Sequence, residues 1–187
     1  MNAAPISITS FDPNARWGQI VINGAQPTAM DYCLITRAAH APTVGHTSKG
    51  PVFSITGSNV TLRDCVIGES PGKAMFTSGT TDITIQRSLI THTVTGPELQ
   101  DGTSLLCEDT NIQEILPTFR ESNDLVPDDE DCLYVHNAPG RSIIVRRSVF
   151  AKCGDDLIDG LAGPITIEDS ILRQGWDKGI SLFNNNL

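Results

Sequence analysis

Aromatic side chains make up only 5% of this 187-residue chain, and acids outnumber bases, with 22 Asp and Glu against 13 Lys and Arg and a formal net charge of −9. With no cluster of Lys or Arg the footprint needed to hold phosphates is missing, so nucleic acid is not expected as a partner. No apolar stretch approaches the roughly 20 residues of a membrane-spanning helix, and Met1-Asn-Ala-Ala-Pro5 lacks the basic and hydrophobic parts of a signal peptide. A membrane is not expected either. The five cysteines (Cys33, Cys65, Cys107, Cys132, Cys153) are odd in number and have no C-x-x-C spacing, which argues against a zinc site and a dense disulfide framework.

What the chain does have is one phrase repeated: Asn59-Val-Thr-Leu-Arg-Asp-Cys-Val-Ile67, Asp82-Ile-Thr-Ile-Gln-Arg-Ser-Leu-Ile90, Ser142-Ile-Ile-Val-Arg-Arg-Ser-Val-Phe150 and Pro164-Ile-Thr-Ile-Glu-Asp-Ser-Ile-Leu172. Val60 to Ile83 is a step of 23 residues and Ile143 to Ile165 one of 22, and self-similarity at that period marks a solenoid. Each copy holds an alternating strand, a two-residue polar corner such as Arg63-Asp64, then a small residue and two apolar ones. A third short strand follows at Ala74–Thr77, Cys132–Val135, Leu157–Gly160 and Gly179–Leu182. Three short strands per turn, with no helix-length segment between them, predict an all-β fold, a right-handed parallel β-helix of about six to seven coils. Cys33 and Cys65 fall where later coils carry Ser88, Ser148 and Ser170, which predicts an inward ladder of small residues.

From Asn59 to Phe183 these repeats resemble the pectin-lyase-like β-helix superfamily, which includes pectate lyases and polygalacturonases. The resemblance implies a polysaccharide or glycan as partner and an extracellular or cell-surface setting. Residues 1–50 read as irregular earlier coils, with Ile6–Thr9, Gly18–Ile22 and Tyr32–Ile35 as strands. The whole of 1–187 is expected to be one domain. A β-helix needs its end coils covered, so a longer solenoid or another subunit is expected to close them.

The repeat breaks between Ile90 and Asp131, and residues 94–130 are expected to be a long insertion before one third strand, with a short helical turn at Ile112–Leu116. In the superfamily that corner borders the substrate cleft, so the resemblance implies a wall or lid. Eleven acids lie from Glu98 to Asp131, against one base, Arg120.

Aligned third strands place Asp131, Asp156 and Lys178 in one column, with Lys73 as the earlier equivalent. Phe76, Tyr134, Asp159 and Ser181 form the next outward column, followed by Ser78, His136, Leu161 and Phe183. Carboxylates about 4.8 Å apart in neighbouring coils repel unless something answers the charge. A raised pKa, a bridging hard cation such as Ca²⁺ on Asp131, Asp156 and Asp159, or salt bridges to Lys178 and Lys73 would each do so. Polygalacturonase-like hydrolases carry an acid in one coil, G-D-D in the next and H-G in the third. This chain has Asp131, then Gly154-Asp155-Asp156, but Lys178 at the His position.

The resemblance therefore leaves three readings open. In an inverting hydrolase Asp131, Asp155 and Asp156 would be the carboxylates; in a Ca²⁺-dependent lyase Lys178 would be the base; in a binding or scaffold module the column would be an ion-pair ladder. Substrate contacts are expected from Tyr134, His136, Phe183 and Lys73.

Overall fold

The computed structural model describes residues 4–39, 41–42, 45, 49–100, 102–117, 130–136, 140–161 and 164–183. In chain order the strands are β1 (Ile6–Ile8), β2 (Ile20–Asn23), β3 (Thr28–Asp31), β4 (Cys33–Thr36), β5 (Phe53–Thr56), β6 (Asn59–Arg63), β7 (Val66–Ser78), β8 (Thr81–Gln86) and β9 (Leu89–Leu99). They continue as β10 (Thr103–Glu108), β11 (Asn111–Ile115), β12 (Tyr134–Val135), β13 (Ile143–Arg146), β14 (Val149–Cys153), β15 (Ile158–Gly160), β16 (Ile165–Glu168), β17 (Ile171–Gly175) and β18 (Ile180–Leu182). First strands stack as β3-β6-β8-β10-β13-β16, in a sheet of six. Second strands stack as β1-β4-β7-β9-β11-β14-β17. Third strands stack as β2-β5-β7-β9-β12-β15-β18, and because β7 and β9 run through the bend, the two stacks merge into a sheet of twelve. Neighbours pair in parallel throughout. The fold is a right-handed parallel β-helix of about seven coils, the hand that parallel crossovers take.

Side-chain alternation decides what fills it. Val60, Ile83, Leu105, Ile143 and Ile165 stack in register, as do Ile35, Ile67, Ile90, Ile112, Phe150 and Leu172. Most are fully buried, and each such side chain stabilises the fold by about 1.5–3 kcal/mol.

The corners are built by two columns of left-handed backbone. Tyr32, Asp64, Arg87, Asp109, Arg147 and Asp169 have φ between 46° and 56°, and Arg37, Glu69, His92, Glu114, Lys152 and Gln174 repeat the conformation at the second bend. That conformation costs about 1–2 kcal/mol for a non-glycine residue, so something must hold it in every coil. At the first bend the holder is the small-residue ladder. Ser88 Oγ accepts the Cys65 N–H at 3.1 Å and donates to the Gln86 carbonyl at 2.8 Å. Thr110, Ser148 and Ser170 repeat both bonds in the following coils. Each hydroxyl satisfies an amide and a carbonyl that the bend removes from the sheet.

Thr110 belongs to a coil that lies between the second and third copies of the repeated phrase. Leu105-Leu-Cys-Glu-Asp-Thr-Asn-Ile112 has the same grammar as the other copies, but Thr replaces the small residue and Asn111 the first apolar one. Val94 to Ile115 is therefore not an outward insertion. It completes β9 and forms β10 and β11, so the expected helical turn at Ile112–Leu116 is a strand instead. The extra chain before third strand β12 shrinks to the stretch after Ile115, of which residues 118–129 lie outside the described residues, as do His40 and His46 of the first long loop.

A disulfide joins Cys132, just before β12, to Cys153 at the end of β14, with Cα atoms 5.6 Å apart. Closing a loop of 21 residues stabilises the fold by about 3 kcal/mol. Cys33, Cys65 and Cys107 are buried free thiols, and burial pushes Cys65 up to about 11 and Cys107 up to about 12. Among the described residues no helix is long and apolar enough to cross a membrane.

Candidate functional site

The third-strand face carries the expected columns, with one coil interposed. Tyr134 pairs with Asp159 and Asp159 with Ser181, while on the other side Glu98 stands between Phe76 and Tyr134. The same register aligns Lys73, Thr95, Asp131, Asp156 and Lys178 at the strand entrance. His136, Leu161 and Phe183 follow in the next outward position, their amides donating to Leu99, Val135 and Gly160.

At the entrance the chain turns out of the second stack, and an amide there has no carbonyl in line with it. Asp131 Oδ1 accepts the Asp156 N–H at 3.0 Å, and Asp156 Oδ1 accepts the Lys178 N–H at 2.8 Å. Both acids are nearly inaccessible, at 2% and 3% exposure. Short polar side chains that answer local backbone groups are the usual residents of such corners. Lys178 Nζ then lies 3.3 Å from both Asp156 oxygens and contacts Asp177 as well. Bonding to Asp177, reinforced by Asp156, holds the Lys178 ammonium well above its usual range. That is the reverse of what a proton-abstracting lysine needs.

Two expected substrate contacts are also out of reach. Lys73 and Glu98 form an ion pair in which both side chains are 0% exposed. Gln100 Nε2 donates to the second Glu98 oxygen at 2.7 Å, Lys73 lies 5.4 Å from the Phe76 ring centre, and a side chain at Gly45 would overlap the Glu98 carboxylate. Lys73 is therefore enclosed by the fold, and Tyr134 is buried too, with its ring 6.3 Å from the half-buried His136. Phe183 alone of the four stands out into solvent.

The cation expected on Asp131, Asp156 and Asp159 meets a different grouping. Among the described residues the carboxylates close enough to share an ion are Asp155, Asp156 and Asp177, whose oxygens lie within 4.8 Å of one another. A Ca²⁺ ion asks for six to eight oxygen ligands, and here the Lys178 ammonium already sits against two of the three acids. The donor set does not fit a resident Ca²⁺, and Lys178 supplies the neutralising charge instead.

Sequence reasoning missed the places of Glu98 and Thr95, whereas the ladder of Asp177, Lys178 and Asp156 was one of its readings. Thr95-Gly-Pro-Glu-Leu99 could have been found by counting 22 residues on from Lys73-Ala-Met-Phe-Thr77, but its glycine and proline disguise the strand. Comparison of the chain with protein-family models, with curated proteins and with solved structures finds no match.

Proposed function

We propose that this chain is a carbohydrate-directed β-helix module of the pectin-lyase-like kind, and that it binds or scaffolds glycans without cleaving them. The observation that carries the non-catalytic part is the Asp131–Asp156–Lys178 column, whose carboxylates are buried and spent on amides of the next coil. A buried acid that caps the backbone is poorly placed to trade protons with a sugar. A lysine clamped between two carboxylates is poorly placed to take one. The glycan part follows the repeat grammar and the outward face that such solenoids offer to extended polymers. The Cys132–Cys153 bridge suits an oxidising compartment, in keeping with an extracellular or cell-surface setting.

Incubation with polygalacturonate and with neutral polysaccharides should yield neither ultraviolet-absorbing unsaturated ends nor new reducing ends, while migration in polysaccharide-loaded native gels is retarded. Unsaturated ends would establish a lyase and reducing ends a hydrolase, and either would overturn the non-catalytic reading.

A further inference from the structure

At the second bend of the early coils a small pocket of about 190 Å³ is lined by Arg16, Arg37, Glu69, Ser70 and His92. Arg37, Glu69 and His92 are successive members of the left-handed column there, so they stand coil over coil. Arg16 comes from the segment before β2, and hydrogen bonds fasten that segment beside the bend. The Trp17 indole donates to the Thr36 carbonyl at 2.7 Å, the Trp17 amide to the Arg37 carbonyl at 3.2 Å and the Ala39 amide to the Gly18 carbonyl at 2.9 Å. Arg16 Nη1 in turn donates to the Glu69 carbonyl at 2.6 Å.

Two polar groups in this pocket are buried without a partner. Ser70 is 1% exposed, and neither its Oγ nor the buried Nε of Arg37 makes a hydrogen bond. The hydroxyls of Ser88, Ser148 and Ser170 at the first bend each bond an amide and a carbonyl instead. Leaving a buried donor unmatched costs more than a made bond contributes. An unmatched guanidinium and an unmatched hydroxyl on one pocket therefore point to a group that accepts from both.

Charge and size say what that group is. A guanidinium stays charged at any working pH, so the lining residues set two positive charges against the single carboxylate of Glu69. Glu69 is exposed, and among the described residues its carboxylate pairs with neither arginine. His92 closes one side, with Nδ1 against Thr91 Oγ1 at 2.9 Å and Nε2 facing Glu114 Oε2 at 3.4 Å, and Lys152 balances Glu114 at 2.9 Å. The pocket is smaller than the roughly 300–1,000 Å³ of sites that enclose whole drug-sized ligands, which suits one ionic group better than a sugar ring. Donors converge from Arg16, Arg37 and Ser70. A planar carboxylate has two oxygens to answer them, whereas a tetrahedral oxyanion has three or four.

We infer that this pocket binds a tetrahedral oxyanion, a sulfate or phosphate group, free or carried as an ester on a larger molecule. Two arginines suffice for one such group, though not for the phosphate backbone of a nucleic acid. The inference stands apart from the glycan-directed reading, so neither falls with the other.

Thermal melting in chloride buffer at constant ionic strength, with inorganic sulfate, inorganic phosphate or acetate added, tests it. Sulfate and phosphate should raise the melting temperature along a saturating curve, as a ligand of the folded state does, and acetate should not. Arg37→Gln should weaken the binding by about tenfold or more, the contribution of one charge-assisted hydrogen bond, and Glu69→Gln should tighten it. Sulfate also stabilises proteins generally by exclusion from their surfaces, so a rise that never saturates, or is equal in Arg37→Gln and the parent, would overturn the site. Acetate bound as tightly as sulfate would overturn it as well. Ser70→Ala gives a readout that needs no anion. Removing an unmatched buried hydroxyl should leave the melting temperature in chloride unchanged or higher while weakening sulfate binding; a lower melting temperature would show the hydroxyl already satisfied and sink the proposal. Glucose 6-sulfate and glucose 6-phosphate separate the two sources: tighter binding than the inorganic ions assigns an ester, weaker binding assigns the free ion, and either upholds the pocket.

Discussion

Lys73 and Glu98 place a full charge pair where no solvent reaches it. Removing two charges from water costs several kcal/mol each, repaid only while both partners are present and the remaining donors and acceptors are satisfied. A structural role and a ligand-binding role for Lys73 therefore differ measurably. Lys73→Met alone should destabilise the fold by about 3–5 kcal/mol by orphaning the Glu98 carboxylate, whereas Lys73→Met with Glu98→Leu should recover most of that loss. Denaturant titration of the two variants decides the matter, and a single variant as stable as the parent would show that the pair is not buried as described. Asp131 and Asp156 carry the same lesson in weaker form. What looks in the sequence like a row of reactive carboxylates is, residue by residue, a row of acceptors for the next coil's amides.

Among the elements, the first bend shows how adjacent coils hold one another. Bidentate Arg63–Asp31 and Arg87–Asp64 pairs bridge one step, and Glu108 is gripped from one side by Gln86 and from the other by Arg146 and Arg147. At the second bend Glu114 bridges His92 and Lys152. Exposed pairs of this kind are individually weak, but here they lie directly over the left-handed residues and favour one register over its neighbours. The Arg147 guanidinium, with help from Gln86, brings the Glu108 carboxyl down from 4.5 to about 2. A depressed carboxylate contributes stability that is fully present above its ordinary value and is lost as pH falls through the folded one. Stability should thus decline between about pH 4.5 and pH 2, and Glu108→Gln should flatten that decline while lowering stability at neutral pH. Parallel acid profiles for the two proteins would rule Glu108 out as a contributor. These acids were legible as charge in the sequence but not as ladders; Asp64 and Arg87 stand one 23-residue step apart, whereas Glu108 and Glu114 meet Arg146, Arg147 and Lys152 at a spacing visible only once the coil of β10 and β11 is counted.

For the whole molecule, a solenoid is held together by contacts between neighbouring coils, so local stability follows how well each coil is covered. The coil of β8 and β9 has covered neighbours on both sides, whereas Ile171, Ile180 and Leu182 of the last described coil are about half exposed. Hydrogen exchange should accordingly be slowest in β8, β9 and β10 and faster by orders of magnitude in β16, β17 and β18. Uniform protection from β8 to β18 would mean that the last coil is covered in solution, for instance by a second copy, and concentration-dependent sedimentation would reveal that partner.

Period and alternation are properties of the chain alone, because every coil must bring its apolar residues to the same interior at the same turn. The sequence was therefore enough to determine the parallel β-helix, its inward columns, the small-residue ladder at Cys65, Ser88, Ser148 and Ser170, and the alignment of Asp131, Asp156 and Lys178. Alternation says which side chains point outward, but not whether water reaches them. The burial of Lys73, Glu98 and Tyr134, the use of Asp131 and Asp156 as backbone acceptors, the Cys132–Cys153 bridge and the pocket that joins Arg16, Arg37 and Ser70 were decided only by the tertiary structure. Each depends on what residues 20 or more positions away in sequence place within a few ångströms, and no local pattern records that distance.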